Sequence, residues 1–239
     1  MEDLRSLAEK IIRCRRCPRL VKYRRWAAEH PPKRYRSERY WAKPLPGFGD
    51  PEARIMAVGL APAAHGGNRT GRMWTGDGAG NTLIRSLYNV GLANRPDSRR
   101  ADDGLALRGI YLTAVLRCPP PENKPTSDEI RNCVDYLRQE LMLLRNVSVV
   151  VALGSIAFNT VIRLLREMGV DFGRPIPKFR HGLVLEPGGS LGGRKPPIII
   201  ASYHPSRQNT QTGKLTQEML DQVFEKALRY AGAVKVERG

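Results

Sequence analysis

The sequence predicts an α/β domain with a central, mainly parallel β-sheet flanked by helices. Short apolar runs of strand length, at residues 53–58, 110–116, 147–153 and 198–201, alternate with stretches whose apolar residues recur at helical spacing. The run at 147–153, V-S-V-V-V-A-L, has the character of a strand covered on both faces. Loops rich in polar side chains, glycine or proline follow three of the runs, at 59–81, 117–125 and 202–215, where open parallel sheets bind ligands. No repeat and no clear linker divides the chain, so residues 1–239 are read as one domain.

Taken in order, residues 2–14 read as a helix with Leu4, Leu7, Ala8 and Ile11 on one face, stopped by Pro18. Residues 19–50 are basic and aromatic, contain prolines, and have little apolar content. They read as an extended segment over a core, suited equally to a phosphate backbone and to solvent. P-L-P-G-F-G-D, at 44–50, is turn chemistry leading to the first strand. The long loop at 59–81 precedes a helix at 82–92, and 94–108 is polar and charged, hence loop. The strand at 110–116 runs into R-C-P-P-P-E-N-K-P, whose consecutive prolines exclude regular structure. Thr126 and Glu129 form a capping box that opens a helix to Leu144, with Cys133 on its inward face. Gly154 and Ser155 open a helix to Met168. A loop at 171–179, a short strand at 181–185 and a flexible turn at 186–197 precede the last strand, and 216–230 form the closing helix.

Forty Lys and Arg stand against 23 Asp and Glu, a formal net charge of +17. Such an excess points to a polyanionic partner, of which nucleic acid is the common one. No run of 18 apolar residues occurs, so no membrane partner is expected. The charged start, M-E-D-L-R-S, is unlike a secretory signal, and a cytoplasmic monomer is expected. Cys14, Cys17, Cys118 and Cys133 form C-x2-C, a long gap and C-x14-C. Four thiolates in that pattern suit zinc or an iron–sulfur cluster, and spacing alone does not choose between them.

The stretch at 59–81 holds seven glycines together with His65, Arg69, Arg72, Trp74 and Asp77. It lacks the lysine of a phosphate-binding loop, and no dinucleotide fingerprint, deaminase motif or nucleophile elbow is present. What remains is an acid, Asp77, a histidine, His204, an amide, Asn123, and an aromatic, Trp74. Together they suit hydrolysis of a nucleoside bond, where a cationic sugar and an anionic base develop at once. Asp77 between glycines is equally a turn residue or helix N-cap, and His204 before Pro205 has a structural reading as its alternative.

The motifs closely resemble those of the uracil-DNA glycosylase superfamily, in its iron–sulfur branch. G-L-A-P-A-A-H-G-G-N-R-T-G-R-M-W-T-G-D-G-A-G-N is similar to the branch's first motif, R-C-P-P-P-E-N-K-P to its middle one and H-P-S-R-Q-N-T-Q-T-G-K-L-T to its last. The resemblance covers roughly residues 10–230 and is best to family 5, or type B, because Leu60 stands where family 4 has Glu. It implies a [4Fe–4S] cluster on Cys14, Cys17, Cys118 and Cys133. It implies Asp77 and His204 as catalytic residues, and Trp74, Asn123, Ala63 and His65 around the base. Gly66, Gly67, Ser206 and Arg207 would meet DNA, with residues 207–212 entering the space that the flipped base leaves. The substrate implied is uracil and other deaminated bases in double- or single-stranded DNA. The other readings are a non-catalytic iron–sulfur protein that binds nucleic acid and a zinc-stapled nucleotide-binding enzyme.

Family 4 carries a base-reading asparagine at the position of Ala114. Alanine offers no donor or acceptor, and a pocket with fewer polar groups to leave unpaired rejects other bases less strongly. Hypoxanthine and xanthine are therefore expected to be released alongside uracil. Single-turnover excision from duplexes that differ only in the lesion tests this, and uracil release with neither purine would refute it.

Overall fold

The computed structural model describes residues 3–232. Glu2, where the first helix was expected to open, lies outside them. Asp3 caps that helix instead, accepting from Ser6 N at 2.7 Å. The elements are α1 (Leu4–Ile12), α2 (Pro18–Glu29), β1 (Phe48–Gly49), β2 (Ile55–Gly59), α3 (Gly67–Thr70), α4 (Gly78–Asn89), β3 (Ile110–Ala114) and α5 (Ser127–Leu143). They continue with β4 (Val149–Leu153), α6 (Ser155–Glu167), β5 (Val170–Asp171), β6 (Val184–Leu185), β7 (Gly188–Gly189), β8 (Ile198–Ser202), α7 (Arg207–Gln211) and α8 (Gln217–Tyr230).

Six strands form the main sheet in the order β1-β3-β2-β4-β8-β6. The inner four are parallel, with Ile55 opposite both Ile110 and Val149, and Val149 opposite Ile198. Short antiparallel strands close both edges. Side chains of a strand alternate between faces, so each inner strand feeds two cores. Met56, Val58, Val150 and Ala152 pack with α1, α5 and α6. Ile55, Ala57, Val149 and Val151 pack with α4 and α8. The mainly parallel sheet flanked by helices is thus as expected. β5 and β7 pair in a separate two-stranded sheet. Among the described residues no helix is long and apolar enough to cross a membrane.

The largest differences from the expectation lie in three segments. Residues 19–50 are not extended throughout, since α2 occupies Pro18–Glu29 with Pro18 at its first turn. A proline there loses no hydrogen bond, so Pro18 opens this helix, while the previous one has already ended at Ile12 rather than at Pro18. The inward face of α2 is Leu20, Arg24 and Ala27, and an arginine at its centre hides the periodicity. The stretch at 59–81 is likewise not all loop. Gly67–Thr70 is a helical turn, and α4 begins at Gly78, four residues before the apolar pattern does. In the last loop, Ser206 caps the short helix α7.

The end of β3 is tied to α5 by a fully buried ion pair. Arg117 Nη1 and Nη2 reach Glu140 Oε1 and Oε2 at 2.9 and 2.6 Å, with both side chains 1% exposed. Thr113 Oγ1 donates to Glu140 at 2.6 Å and accepts from Arg117 at 2.6 Å, and Tyr111 adds a longer bond at 3.4 Å. Removing one partner of such a pair strands a charge without water and costs about 3–5 kcal/mol, whereas apolar replacement of both is often near neutral. Arg117→Met is therefore expected to lose about that much stability in chemical denaturation. Adding Glu140→Leu is expected to restore part of the loss.

Candidate active site and cysteine cavity

Of the three loops expected to converge, the first and last meet through side chains. Val115 N and Leu116 N donate to Gly59 O and Leu60 O at 2.9 Å, which binds the end of the 110–116 run, just before the middle loop, to the first loop. Trp74 and His204 bring the first and last loops together, their rings stacked with centroids 5.5 Å apart and planes 30° apart. Trp74 has a φ of 57°. A bulky side chain rarely adopts this left-handed region, and holding it there costs on the order of 1–3 kcal/mol. The turn folds the ring back onto Gly59, where any Cβ would collide with it, and points Nε1 to Thr113 O at 3.4 Å. Trp74 is thus a buried wall of the site, 8% exposed.

Asp77 is both candidate catalyst and helix cap. Its Oδ1 accepts from Gly80 N at 2.9 Å at the start of α4. Burial pushes its pKa up, while the N–H groups of Gly80 and Ala79 and the charge of Arg69 pull it back. Gly66 lies against the other oxygen so closely that a Cβ there would overlap Oδ2. Gly80 is needed for a similar reason, since its Cβ would strike the backbone of Trp74. His204 lies deep in the cleft wall, and burial pushes its pKa down to about 4, so the imidazole is neutral near pH 7. Asn209 Nδ2 holds His204 O at 2.8 Å, and Gly154 lies against its Cβ.

The other expected residues fall in differing places. Ala63 O accepts from Gly66 N and Asn68 N, at 3.2 and 3.1 Å, so it organises the turn beside Asp77. His65 Nδ1 lies 2.9 Å from Tyr40 OH, and burial first, then Arg34 and Arg69, lowers its pKa. Gly66 and Gly67 are buried, and the N–H of Gly66 is already given to Ala63, so Gly66 supplies room for a carboxylate rather than a donor for a phosphate. Ser206 uses its hydroxyl to cap α7, and Arg207 is exposed. Asn123 stands at an exposed turn with a φ of 57°, and among the described residues no hydrogen bond or ring contact joins its side chain to Asp77, Trp74 or His204. Tyr40, Asn209 and Gly154 were not singled out from the sequence. Each acts through a contact distant in the chain or through backbone shape, and leaves no local pattern.

All four cysteines line one small cavity, together with Leu20, Arg24, Arg117 and Asn132. Among the described residues no three His, Cys, Asp or Glu side chains converge as a single metal ion requires. Zinc, with sulfurs about 2.3 Å away, needs them nearly in mutual contact, whereas a multinuclear cluster holds its cysteines further apart. The sulfurs also have donors: Arg24 Nη1 to Cys118 at 3.1 Å, Arg117 N to Cys133 at 3.3 Å and Asn132 Nδ2 to Cys17 at 3.8 Å. As free thiols, Cys118 and Cys133 are pushed up by burial to about 11 and about 12. Donors aimed at sulfur suit thiolates whose charge a metal group balances. The cavity and its donor set thus fit four thiolates around a metal group.

Residues 46–228 match the family model described as the uracil DNA glycosylase superfamily, and the chain belongs to that superfamily. It is 48% identical to the type-5 uracil-DNA glycosylase of Thermus thermophilus, over 96% of this chain and 99% of the relative. It is 44% identical to the type-5 enzyme of Pyrobaculum aerophilum, over 96% and 94%. Identity to the type-4 uracil-DNA glycosylase of Archaeoglobus fulgidus is 32%, over 86% and 83%. Within the superfamily the chain therefore falls with the type-5 uracil-DNA glycosylases.

Gly66→Ala is expected to displace Asp77 from its place at the head of α4. The measurements are base release, which should fall by about tenfold or more, and the melting temperature, which should fall as part of the cap is lost. Unchanged rate and stability would show that the carboxylate does not sit where Gly66 makes room for it.

Proposed function

We propose that the chain hydrolyses the N-glycosidic bond of uracil in DNA, leaving an abasic site for base-excision repair, and that it acts on hypoxanthine and xanthine as well. The supporting observation is the stacking of neutral His204 on Trp74, three residues from the half-buried carboxylate of Asp77, at the C-terminal edge of a parallel sheet. Such a group of residues suits a base taken out of the stack into a pocket. In this reading Trp74, Ala63 and His65 wall the pocket, and Asn123, on the exposed turn after the prolines, offers both donor and acceptor to the base edge. Ala114, buried beside Gly59 in the sheet register, leaves the inner wall without a polar group.

In the reaction the C1′–N bond breaks with its electron pair passing to the base. Asp77 stabilises the cationic sugar and takes the proton of the water whose oxygen joins C1′. Its raised pKa makes it a better proton acceptor than an ordinary carboxylate. His204 donates its N–H to the base oxygen on which negative charge builds, and the released base then takes a proton from solvent. A preformed donor of this kind acts without reorganising in the transition state. Ser206 and Arg207 contact the DNA beside the lesion, and residues 207–212 enter the gap in the stack. We further propose a [4Fe–4S] cluster on Cys14, Cys17, Cys118 and Cys133. It would supply a covalent tie between the α1–α2 link, the loop after β3 and α5, and no step of the hydrolysis.

Asp77→Asn separates the two jobs of this residue, because asparagine caps helices as well as aspartate does. It is expected to keep the melting temperature near that of the wild type while slowing single-turnover uracil release by roughly 10² or more. His204→Gln should slow release on a similar scale. Its pH dependence is a second readout. A histidine with its pKa lowered to about 4 contributes stability that is full above the unfolded value of about 6.5 and is lost as pH falls towards about 4. His204→Gln should remove that part of the acid limb in thermal melts. Full rate in either variant would show that its assigned role is wrong.

Anaerobically purified protein is expected to be brown and to contain about four iron atoms per chain. Colourless protein with one zinc per chain would overturn the cluster assignment.

A further inference from the structure

Residues 13–43 hold twelve of the 40 Lys and Arg but two of the 23 acids, so a net +10 of the chain's +17 lies outside the three strand-end loops. α2 carries four of these cations, Arg19, Lys22, Arg24 and Arg25, against Glu29. Its outer face presents a ladder of rings: Tyr23 stacks on Trp26 at 5.8 Å and 17°, and Trp26 on His30 at 4.9 Å and 18°. His30 is pinned by its Nδ1 to Trp26 O at 2.9 Å, which keeps the rings in line. Trp26 is 48% exposed, although nothing in the fold requires an indole in water. Beside it runs an open groove lined by Arg15, Pro18, Val21, Lys22, Arg25 and Glu29. Arg15, Lys22 and Arg25 are exposed, and among the described residues none has a carboxylate partner.

We propose that this face of α2 binds unpaired DNA, with bases packing on the Trp26 ladder and phosphates meeting Arg15, Lys22 and Arg25. With the faces of Trp26 taken by Tyr23 and His30, the ladder offers the exposed edge of the indole and the outer faces of its two end rings, surfaces that accept any base, and cations that follow a backbone flank it, as in a single-strand platform. Duplex DNA would engage the cations but hides its base faces. The placement suits a strand leaving the cleft, because α2 is fixed to the glycine-rich loop by Asn68 Nδ2 on Arg24 O at 3.1 Å. The inference extends the proposed DNA chemistry to a second surface and gives the enzyme a hold on unpaired DNA next to a lesion.

The test is binding of a labelled, undamaged thymidine oligomer, followed by anisotropy at several salt concentrations. Trp26→Ala is expected to weaken binding about tenfold, the scale of one lost stacking contact, with Trp26→Phe recovering most of it. Lys22→Ala with Arg25→Ala should lower the salt slope by about one to two. Binding of an undamaged duplex should not respond to Trp26→Ala, nor should single-turnover uracil release from a short duplex at saturating enzyme. Wild-type affinity of Trp26→Ala for the oligomer would overturn the proposal. So would an oligoglutamate peptide that depends on Trp26 while the oligomer does not, since that pattern marks a protein-docking site. Absence of uracil release with Trp26-dependent oligomer binding would sink the glycosylase reading and leave this one standing.

Discussion

Arg117 and Glu140 meet where no water reaches, and several parts of the molecule depend on their being matched. The guanidinium belongs to the residue just before Cys118, and its backbone N–H points at the sulfur of Cys133. The carboxylate comes from α5, the helix that carries Cys133. Between them Thr113 accepts one bond and gives another, and the carbonyl of the same residue receives the indole N–H of Trp74. Charge pairing in the core thus fixes the end of β3 against α5, and that end positions both the cysteine cavity and the wall of the candidate site. One atom of the arrangement, Arg117 Nε, has no hydrogen-bond partner, which fits a group held by the geometry of its fork rather than by full satisfaction.

The glycine-rich loop is held in a comparable way. Arg72 is buried and bonds to Thr75, Ser98 and both oxygens of Asp103. Burial would raise the pKa of Asp103, but Arg72 and the N–H groups of Leu105, Arg100 and Arg99 outweigh it and hold the value at about 2. Arg69 pairs with Glu38 and bonds the carbonyls of His65 and Gly76. These arginines brace the loop from beneath rather than facing a ligand. With the loop so fixed, Asp77 can remain in surroundings that raise its pKa, because the helix N-terminus beside it favours the anion.

On α2 the same residue type serves opposite ends. Arg24 turns inward, donating to Ala42 O at 3.0 Å and to the sulfur of Cys118. Arg25, one residue on, faces water beside Trp26. A helical step of about 100° separates a group that serves the cysteine cavity from one free to meet an anion.

The sequence by itself determined the strands, most helices and the chemistry available at the strand ends. Apolar periodicity and capping residues report directly on burial and on hydrogen bonding within a few residues. The capping box at Thr126 and Glu129 was legible for this reason, and both of its bonds are present. The candidate residues Asp77, Trp74 and His204 were legible as residue types out of keeping with a simple turn. Tertiary structure decided what local pattern does not encode. It made a helix of residues 18–29 by burying Arg24, and it started α4 early because Asp77 could cap it where Gly80 passes Trp74. It set His204 as a neutral imidazole, since that depends on the density of atoms around the ring. It also paired Arg117 with Glu140, 23 residues apart, across a distance that no local pattern spans. Only the closed fold removes the water that would otherwise make such a pair unremarkable in energy.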